Sequence, residues 1–451
     1  MRGSAISHAL VSVVGSVICC LFWQTTVGAQ GFCFDLPRSF MVGSDPVSIC
    51  AADFDGDGDV DLATADISDD SISVLRNVGG GAFAPAVMYP VGDAPSSVVA
   101  ADLDGDGDAD LAVANFHGTT VSVLRNNGDG VFAAAEDHAA ANAPRAVLAA
   151  DLDGDTDADL AVANGVGTEV SVLLNDGNGS FAAPVRYTAR NHPHAVVSED
   201  WDIDGDADLA VLNAYNDNVS ILENSGTGTF AAPVDYAFWD VPYSIFAADL
   251  DGDGIADIAV VDIGQETVAV LWNNGDGTFD PGPQYAVGID PVAVFAADLD
   301  GDGDADLAVA NGVSDDVSVL KNNGDRTFGA PESFTAGNYP YALFAADLDG
   351  DHDADLAVAD QLSDRVSVLL NNTCRCHGDP QCDGVADLQD VVVTVGEAFR
   401  GEPPAIDPTC ARIRADVNCD EVTTVVDVVK AVNVAFRGAN PTTEFCNPCA
   451  P

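Results

Sequence analysis

Between residues 46 and 371 the chain alternates short apolar runs with tight clusters of Asp, Asn and Gly. Runs such as DLAVAN (Asp110–Asn115) and VSVLRNN (Val121–Asn127) are rich in small and β-branched residues and bounded by turn formers. That pattern predicts short strands. The stretch NNGDGTF (Asn273–Phe279) has the turn chemistry of a hairpin. No helical window occurs between residues 31 and 373.

The pattern returns at a constant interval. The acidic stretch AADLDGDGDADLAVAN, residues 100–115, has six relatives, whose first aspartates are Asp53, Asp102, Asp151, Asp200, Asp249, Asp298 and Asp347, each 49 residues after the last. A proline precedes each by seven positions (Pro46, Pro95, Pro144, Pro193, Pro242, Pro291, Pro340), and Phe34, Phe83, Phe132, Phe181, Phe230, Phe279 and Phe328 keep the same step. A period of this length points to a propeller or a helical solenoid, and the strand-like runs choose the propeller. Each repeat reads as four strands: one ending at AAD, one at DLAVAN, one at VSVLRNN and one starting at the recurring Phe. The expectation is an all-β fold, a seven-bladed β-propeller of four-stranded blades over residues 31–373.

The last copy ends after its third strand, at Asn371 and Asn372, whereas FCFDLPRSF (Phe32–Phe40) precedes any acidic loop. This orphan fourth strand is expected to complete the seventh blade and close the ring, removing the open edges. A disulfide from Cys33 to Cys374 or Cys376 would pin the closure. Cys50, on a strand, is the candidate buried free thiol.

Charge changes the picture. The chain of 451 residues carries 73 acidic and 16 basic side chains, a formal net charge of −57, yet 47% of it is hydrophobic. It can bury a core, and its sign excludes nucleic acid and anionic membranes as natural partners. Arg2 and His8 precede an apolar run from Ala9 to Trp23, and VGA ends at Ala29. The run is shorter than the roughly 20 residues a membrane-spanning helix needs. Residues 1–29 therefore read as a secretory signal, giving a secreted, extracellular chain with no transmembrane segment once processed, and most of the remaining cysteines are expected to form disulfides, with at least one left over.

Each acidic loop has the spacing D-x-D-x-D-G-x-x-D. Alternate carboxylates in a tight turn point toward one centre, which suits a hard cation with oxygen ligands. The four carboxylate positions are filled in every copy. In the first three they are Asp53, Asp55, Asp57 and Asp61; Asp102, Asp104, Asp106 and Asp110; and Asp151, Asp153, Asp155 and Asp159. In the fourth and fifth they are Asp200, Asp202, Asp204 and Asp208, then Asp249, Asp251, Asp253 and Asp257. In the last two they are Asp298, Asp300, Asp302 and Asp306, then Asp347, Asp349, Asp351 and Asp355. Solvated turn aspartates would explain one such loop; seven in phase point to calcium, Ca2+, about seven ions in all. Thr156 and His352 replace the bend glycine, so those two sites are expected to be weaker.

These elements, with F-x-x-P and N-G-D-G-x-F, resemble FG-GAP or VCBS-type repeats, the blades of integrin α-like propellers and of many bacterial secreted proteins. The resemblance implies calcium loops in hairpins on the lower face and ligands on the upper face or between blades.

After Thr373 a Cys-rich segment, residues 374–451, contains its own repeat: DPQCDGVADLQD (Asp379–Asp390) parallels DVNCDEVTTVVD (Asp416–Asp427). The first offers Asp379, Gln381, Asp383, Asp387 and Asp390; the second Asp416, Asn418, Asp420, Thr424 and Asp427. Each is followed by an amphipathic helical pattern. The pair resembles a type I dockerin, a small α-helical domain of calcium loops and helices that plugs into cohesins. That implies one or two further Ca2+ ions and a cohesin-like partner; a self-contained cap on the propeller is the other reading.

Loops around each fixed Pro vary most and supply Arg145, His192, His194, Trp239, Tyr243, Tyr339 and Tyr341, with Phe116, His117 and Tyr215 from the loops between second and third strands. If these share a face, it carries aromatics suited to a glycan or protein ligand. HPHAVVSED (His192–Asp200) is the best seed for catalysis, but Asp200 belongs to a metal loop and no nucleophile adjoins it. The expected function is a calcium-binding adhesion or binding module. A carbohydrate-active enzyme (polysaccharide lyase or hydrolase) and a purely structural surface protein are the alternatives.

Overall fold

The structure, a computed structural model, describes residue 32 and residues 34–371 except residue 239. The segments expected to be a secretory signal and a dockerin-like domain, together with Cys33 and Trp239, lie outside the described residues. The first blade is built from β2 (Pro46–Ala52), β3 (Asp61–Asp66), β4 (Ser71–Leu75) and β5 (Val87–Pro90), joined by consecutive antiparallel hairpins. Five more blades repeat this order, and the seventh takes its fourth strand from the other end of the chain. There β1 (Arg38–Met41) pairs antiparallel with the strand Arg365–Leu369, Phe40 facing Val366. The ring therefore closes as the repeat phase requires, and the first strands of successive blades neighbour one another around it.

The pattern of small and β-branched residues follows from burial. The second strands, DLAVAN and its relatives, are buried on both faces, between neighbouring sheets. Fourth strands face outward and are largely exposed. Between blades, an aromatic ring of one fourth strand meets the recurring Phe of the next edge-to-face, as Tyr89 meets Phe132 at 5.4 Å and Tyr187 meets Phe230 at 5.1 Å. Cys50 is a buried free thiol among Phe54, Ala63 and Val98, and desolvation pushes it up to about 12.

One expectation needs correction. The fourth strand starts at the recurring Phe only in the fifth blade, Phe279–Ala286. In the first blade Phe83 makes an isolated bridge to Asn77, and β5 begins four residues later. The ring of Phe83 turns into the interblade core while the chain beyond it turns to solvent. One helical turn, Gln361–Ser363, also occurs, in the loop between the second and third strands of the seventh blade. Among the described residues no helix is long and apolar enough to cross a membrane.

Candidate metal loops and an axial cluster

The acidic loops join the first and second strands of each blade, at one end of the ring. In the second blade Asp102 Oδ1 accepts the Gly105 N–H at 2.8 Å and its Oδ2 accepts the Gly107 N–H at 3.0 Å. These bonds curl the loop round the first carboxylate. Gly105 and Gly107 are both left-handed (φ 78° and 95°), so the fourth and sixth positions both bend the chain. The sequence singled out only the sixth. Thr156 (φ 79°), His352 (φ 74°) and Ile203 (φ 62°) are held in the same region without being glycine, a strain that glycine does not feel. In the fourth blade the bond to the Ile203 position is replaced by one from Asp204 N–H to Asp200 Oδ1, 3.1 Å.

Carboxylate oxygens converge. Those of Asp53, Asp55 and Asp57 lie within 4.8 Å of one another, as do those of Asp102, Asp104 and Asp110, of Asp151, Asp153 and Asp159, of Asp200, Asp202 and Asp204, and of Asp249, Asp251 and Asp257. The third-position Oδ1 of Asp55, Asp104, Asp153, Asp300 and Asp349 is buried without a well-formed hydrogen bond. A buried acceptor left bare is costly, and a cation among these oxygens would satisfy it. The ninth-position carboxyls are buried, and desolvation, with neighbouring carboxylates adding, outweighs their backbone hydrogen bonds. Asp61, Asp110 and Asp159 are pushed up to about 6, and Asp208, Asp257, Asp306 and Asp355 to about 7. The donor set, hard oxygens in a tight turn, fits calcium.

Side chains that the sequence reading passed over also meet these loops. Lys321 Nζ contacts Asp300 and lies 2.9 Å from Asp302 Oδ2. Arg326 reaches across to Asp251 in the preceding blade, while Arg76 and Arg125 sit 3.4 and 3.6 Å from Asp55 and Asp104. Asparagines at the 49-residue step tie the loops together. Asn126 N–H donates to Asp110 Oδ1 at 2.7 Å, and its Nδ2 donates to the Phe54 carbonyl of the preceding loop at 2.8 Å. The recurring Asn was legible in the sequence; its partner one blade away was not.

At the other end of the ring the variable loops do share one face. Phe116 N–H donates to the Ala94 carbonyl (2.8 Å) and Ala94 N–H to Asp70 Oδ1 (2.9 Å), linking the two loop sets. In all seven blades the ladder between first and second strands shifts register just after the fixed Pro. The bulged residues are Val47, Ser96, Arg145, His194, Tyr243, Val292 and Tyr341. A bulge re-aims its side chain. Arg145 Nη2 lies 3.3 Å from Tyr243 Oη, and Tyr243 Oη lies 2.5 Å from Tyr341 Oη. Each pair is two blades apart, so these contacts bridge the mouth of the ring axis.

Of the residues expected to meet a ligand, the described ones, His192, His194, Tyr243, Tyr339 and Tyr341, lie in or beside this cluster. The His194 ring lies 4.3 Å from that of Tyr243, His192 stacks on exposed Tyr215 at 4.2 Å, and Tyr339 lies beside Tyr341 at 6.4 Å. Tyr339 donates to Asp290 Oδ2 at 2.6 Å. His117 instead lies beside Asp93. Burial, with Arg145 nearby, holds His192 below its usual range and His194 well below it, so His194 is neutral.

Six overlapping segments, from residues 53–113 to residues 298–358, match the FG-GAP-like repeat. The chain belongs to that family. Among curated proteins none matches significantly. Solved structures with the same fold include BBS1N in complex with ARL6DN, at 13% identity, covering 75% of this chain and 96% of that one (TM-score 0.56). A second is the catalytically inactive virginiamycin B lyase of Staphylococcus aureus with quinupristin, at 13% identity, covering 74% and 99% (TM-score 0.52). A Lactobacillus plantarum protein follows at 18%, covering 67% and 88% (TM-score 0.53).

Proposed function

We propose that this propeller is a secreted, calcium-stabilised binding module. Calcium ions in the acidic loops hold one end of the ring rigid, and the opposite face receives the ligand. The observation that carries this reading is the division of labour between the two ends. One gathers repeated carboxylates with bare buried oxygens; the other gathers non-repeated Arg, His and Tyr side chains across the axis. Positions identical in every blade serve the ring, whereas positions that differ and still converge serve something else. The dockerin-like segment, residues 374–451, would attach the module to a cohesin-like partner.

A glycan array and a lyase assay on the purified chain, with calcium present and after chelation, test this. Ligand retention that depends on Tyr215 and Tyr243 supports the reading. Absence of any ligand dependent on the axial face, together with calcium-independent folding, overturns it.

A further inference from the structure

We infer that the axial mouth is a recognition site for the carboxylate of an acidic sugar, with Arg145 as its anion-binding group and His194 Nε2 as the acceptor for an adjacent hydroxyl. The inference deepens the binding-module reading and rests on it.

Arg145 is unusual for its surroundings. In a chain with 73 acidic residues, Arg76, Arg125, Arg186, Arg190, Lys321 and Arg326 each lie within 4 Å of a carboxylate, whereas Arg145, like Arg38 and Arg365 among the described residues, does not. Its guanidinium sits instead over the rings of Phe116 (5.7 Å) and Tyr243 (5.9 Å) and makes one hydrogen bond, to Tyr243 Oη. A guanidinium has five N–H donors in a planar fork suited to a carboxylate. The aromatic contacts fix its plane and leave donors for an incoming anion.

His194 supplies the second half. Its side chain is buried, and Nε2 has no hydrogen-bond partner among the described residues. A neutral imidazole with a bare nitrogen beside Tyr243 is an acceptor waiting for a donor, and a sugar hydroxyl is one. The Tyr243 and Tyr341 hydroxyls bridge the same mouth, and whichever of them accepts in the bond between the two keeps its own proton to donate to a carboxylate or ring oxygen. Next to them the His192–Tyr215 stack gives a flat platform of the kind a pyranose face covers. A peptide C-terminus would use the guanidinium equally well, but it offers neither the vicinal hydroxyl nor a ring for the platform.

The test is calorimetric titration of the calcium-loaded full chain with D-galacturonate, D-glucuronate, the matching neutral sugars, acetate and a short peptide with a free C-terminus. A uronate is expected to bind at least about tenfold more tightly than its neutral counterpart, since a hydrogen bond to a charged group is worth that much or more. Arg145→Ala should abolish the preference, Arg145→Lys should restore part of it, and His194→Phe should weaken uronate but not acetate. Each variant's melting shift with calcium must match the unaltered chain, which separates lost recognition from lost folding. Equal binding of acid and neutral sugars, indifferent to Arg145→Ala yet lost in Tyr215→Ala, would overturn the carboxylate assignment and leave the binding module standing. Peptide binding in place of uronate would reassign the site. No sugar or peptide binding at all would overturn the carboxylate assignment, and the binding-module reading would then stand or fall on the glycan array and the calcium dependence of folding.

Discussion

Asn77 Nδ2 donates to the carbonyl of Leu348, 2.9 Å away and 271 positions along the chain. The same bond links Asn126 to Phe54 and every later recurring Asn to the loop of the blade before it. Between the seventh blade and the first it closes the ring. Asn77→Ala and Asn126→Ala each remove the cross-blade side-chain donor from a carbonyl that keeps one backbone donor, Gly81 N–H on Leu348 at 3.1 Å and Gly130 N–H on Phe54 at 2.9 Å, at a cost of about 0.5–1.5 kcal/mol. Urea denaturation should show similar losses for the two variants. A seam that does not close would make Asn77→Ala clearly milder than Asn126→Ala, because only bonds within its own blade, such as that to the Val60 carbonyl, would then be lost.

The left-handed bends give a second prediction. Thr156, Ile203 and His352 occupy positions that are glycine in the other blades. Replacing each by Gly relieves local strain and should raise stability by about 1 kcal/mol, most for the β-branched Thr156 and Ile203. Thermal melting of the three single variants checks this. A loss of stability would mean these side chains make contacts worth more than the strain.

Lys321 places an ammonium where a divalent ion would sit, against Asp300 and Asp302. The sixth loop should therefore bind calcium more weakly than the fourth, where Glu223 stands at the matching position and the bend glycine, Gly205, is kept. Lys321→Leu should strengthen that site about tenfold by removing the competing charge. Native mass spectrometry across a calcium titration reads the number of weak sites, which should fall by one.

A pH effect arises at the opposite end. Asp66 and Asp360 are buried, and desolvation pushes both up to about 6 despite hydrogen bonds from Ser73 and Ser367. A raised carboxyl pKa stabilises the fold fully below the unfolded value of 3.8, and that contribution is lost as pH rises through about 6. The fifth blade has Asp262 here and the other four carry Asn115, Asn164, Asn213 and Asn311, of which Asn115 Nδ2 donates to Ser122 Oγ at 2.9 Å. With calcium saturating, Asp66→Asn should be more stable than the parent at pH 8, by on the order of 1–3 kcal/mol, with little difference near pH 4. Equal stability at both pH values would show that Asp66 is not titrating in that window.

Much of this was legible in the sequence because the repeat is rigid. A fixed 49-residue step places Asp102, Pro95 and Phe132 in one blade frame, and the orphan strand before Pro46 needs a partner at the far end of the ring. The axial cluster was legible only as a set of residues. Arg145, Tyr243 and Tyr341 each stand one place after a fixed Pro, but their meeting depends on the ring diameter and on the bulge that turns them inward. Lys321 was hidden for another reason: its position carries Arg, Leu, Glu or Trp in other copies, so no repeat signal marked it.

The central claim is that cations neutralise the acidic loops and hold the ring. Its most direct test is calorimetric melting with calcium present and after exhaustive chelation. Seven sites saturated a hundredfold above Kd would each contribute about 2.7 kcal/mol, so melting should fall by more than about 10 °C, with Asp104→Ala reproducing part of the drop. Identical melting curves with and without calcium would contradict the account.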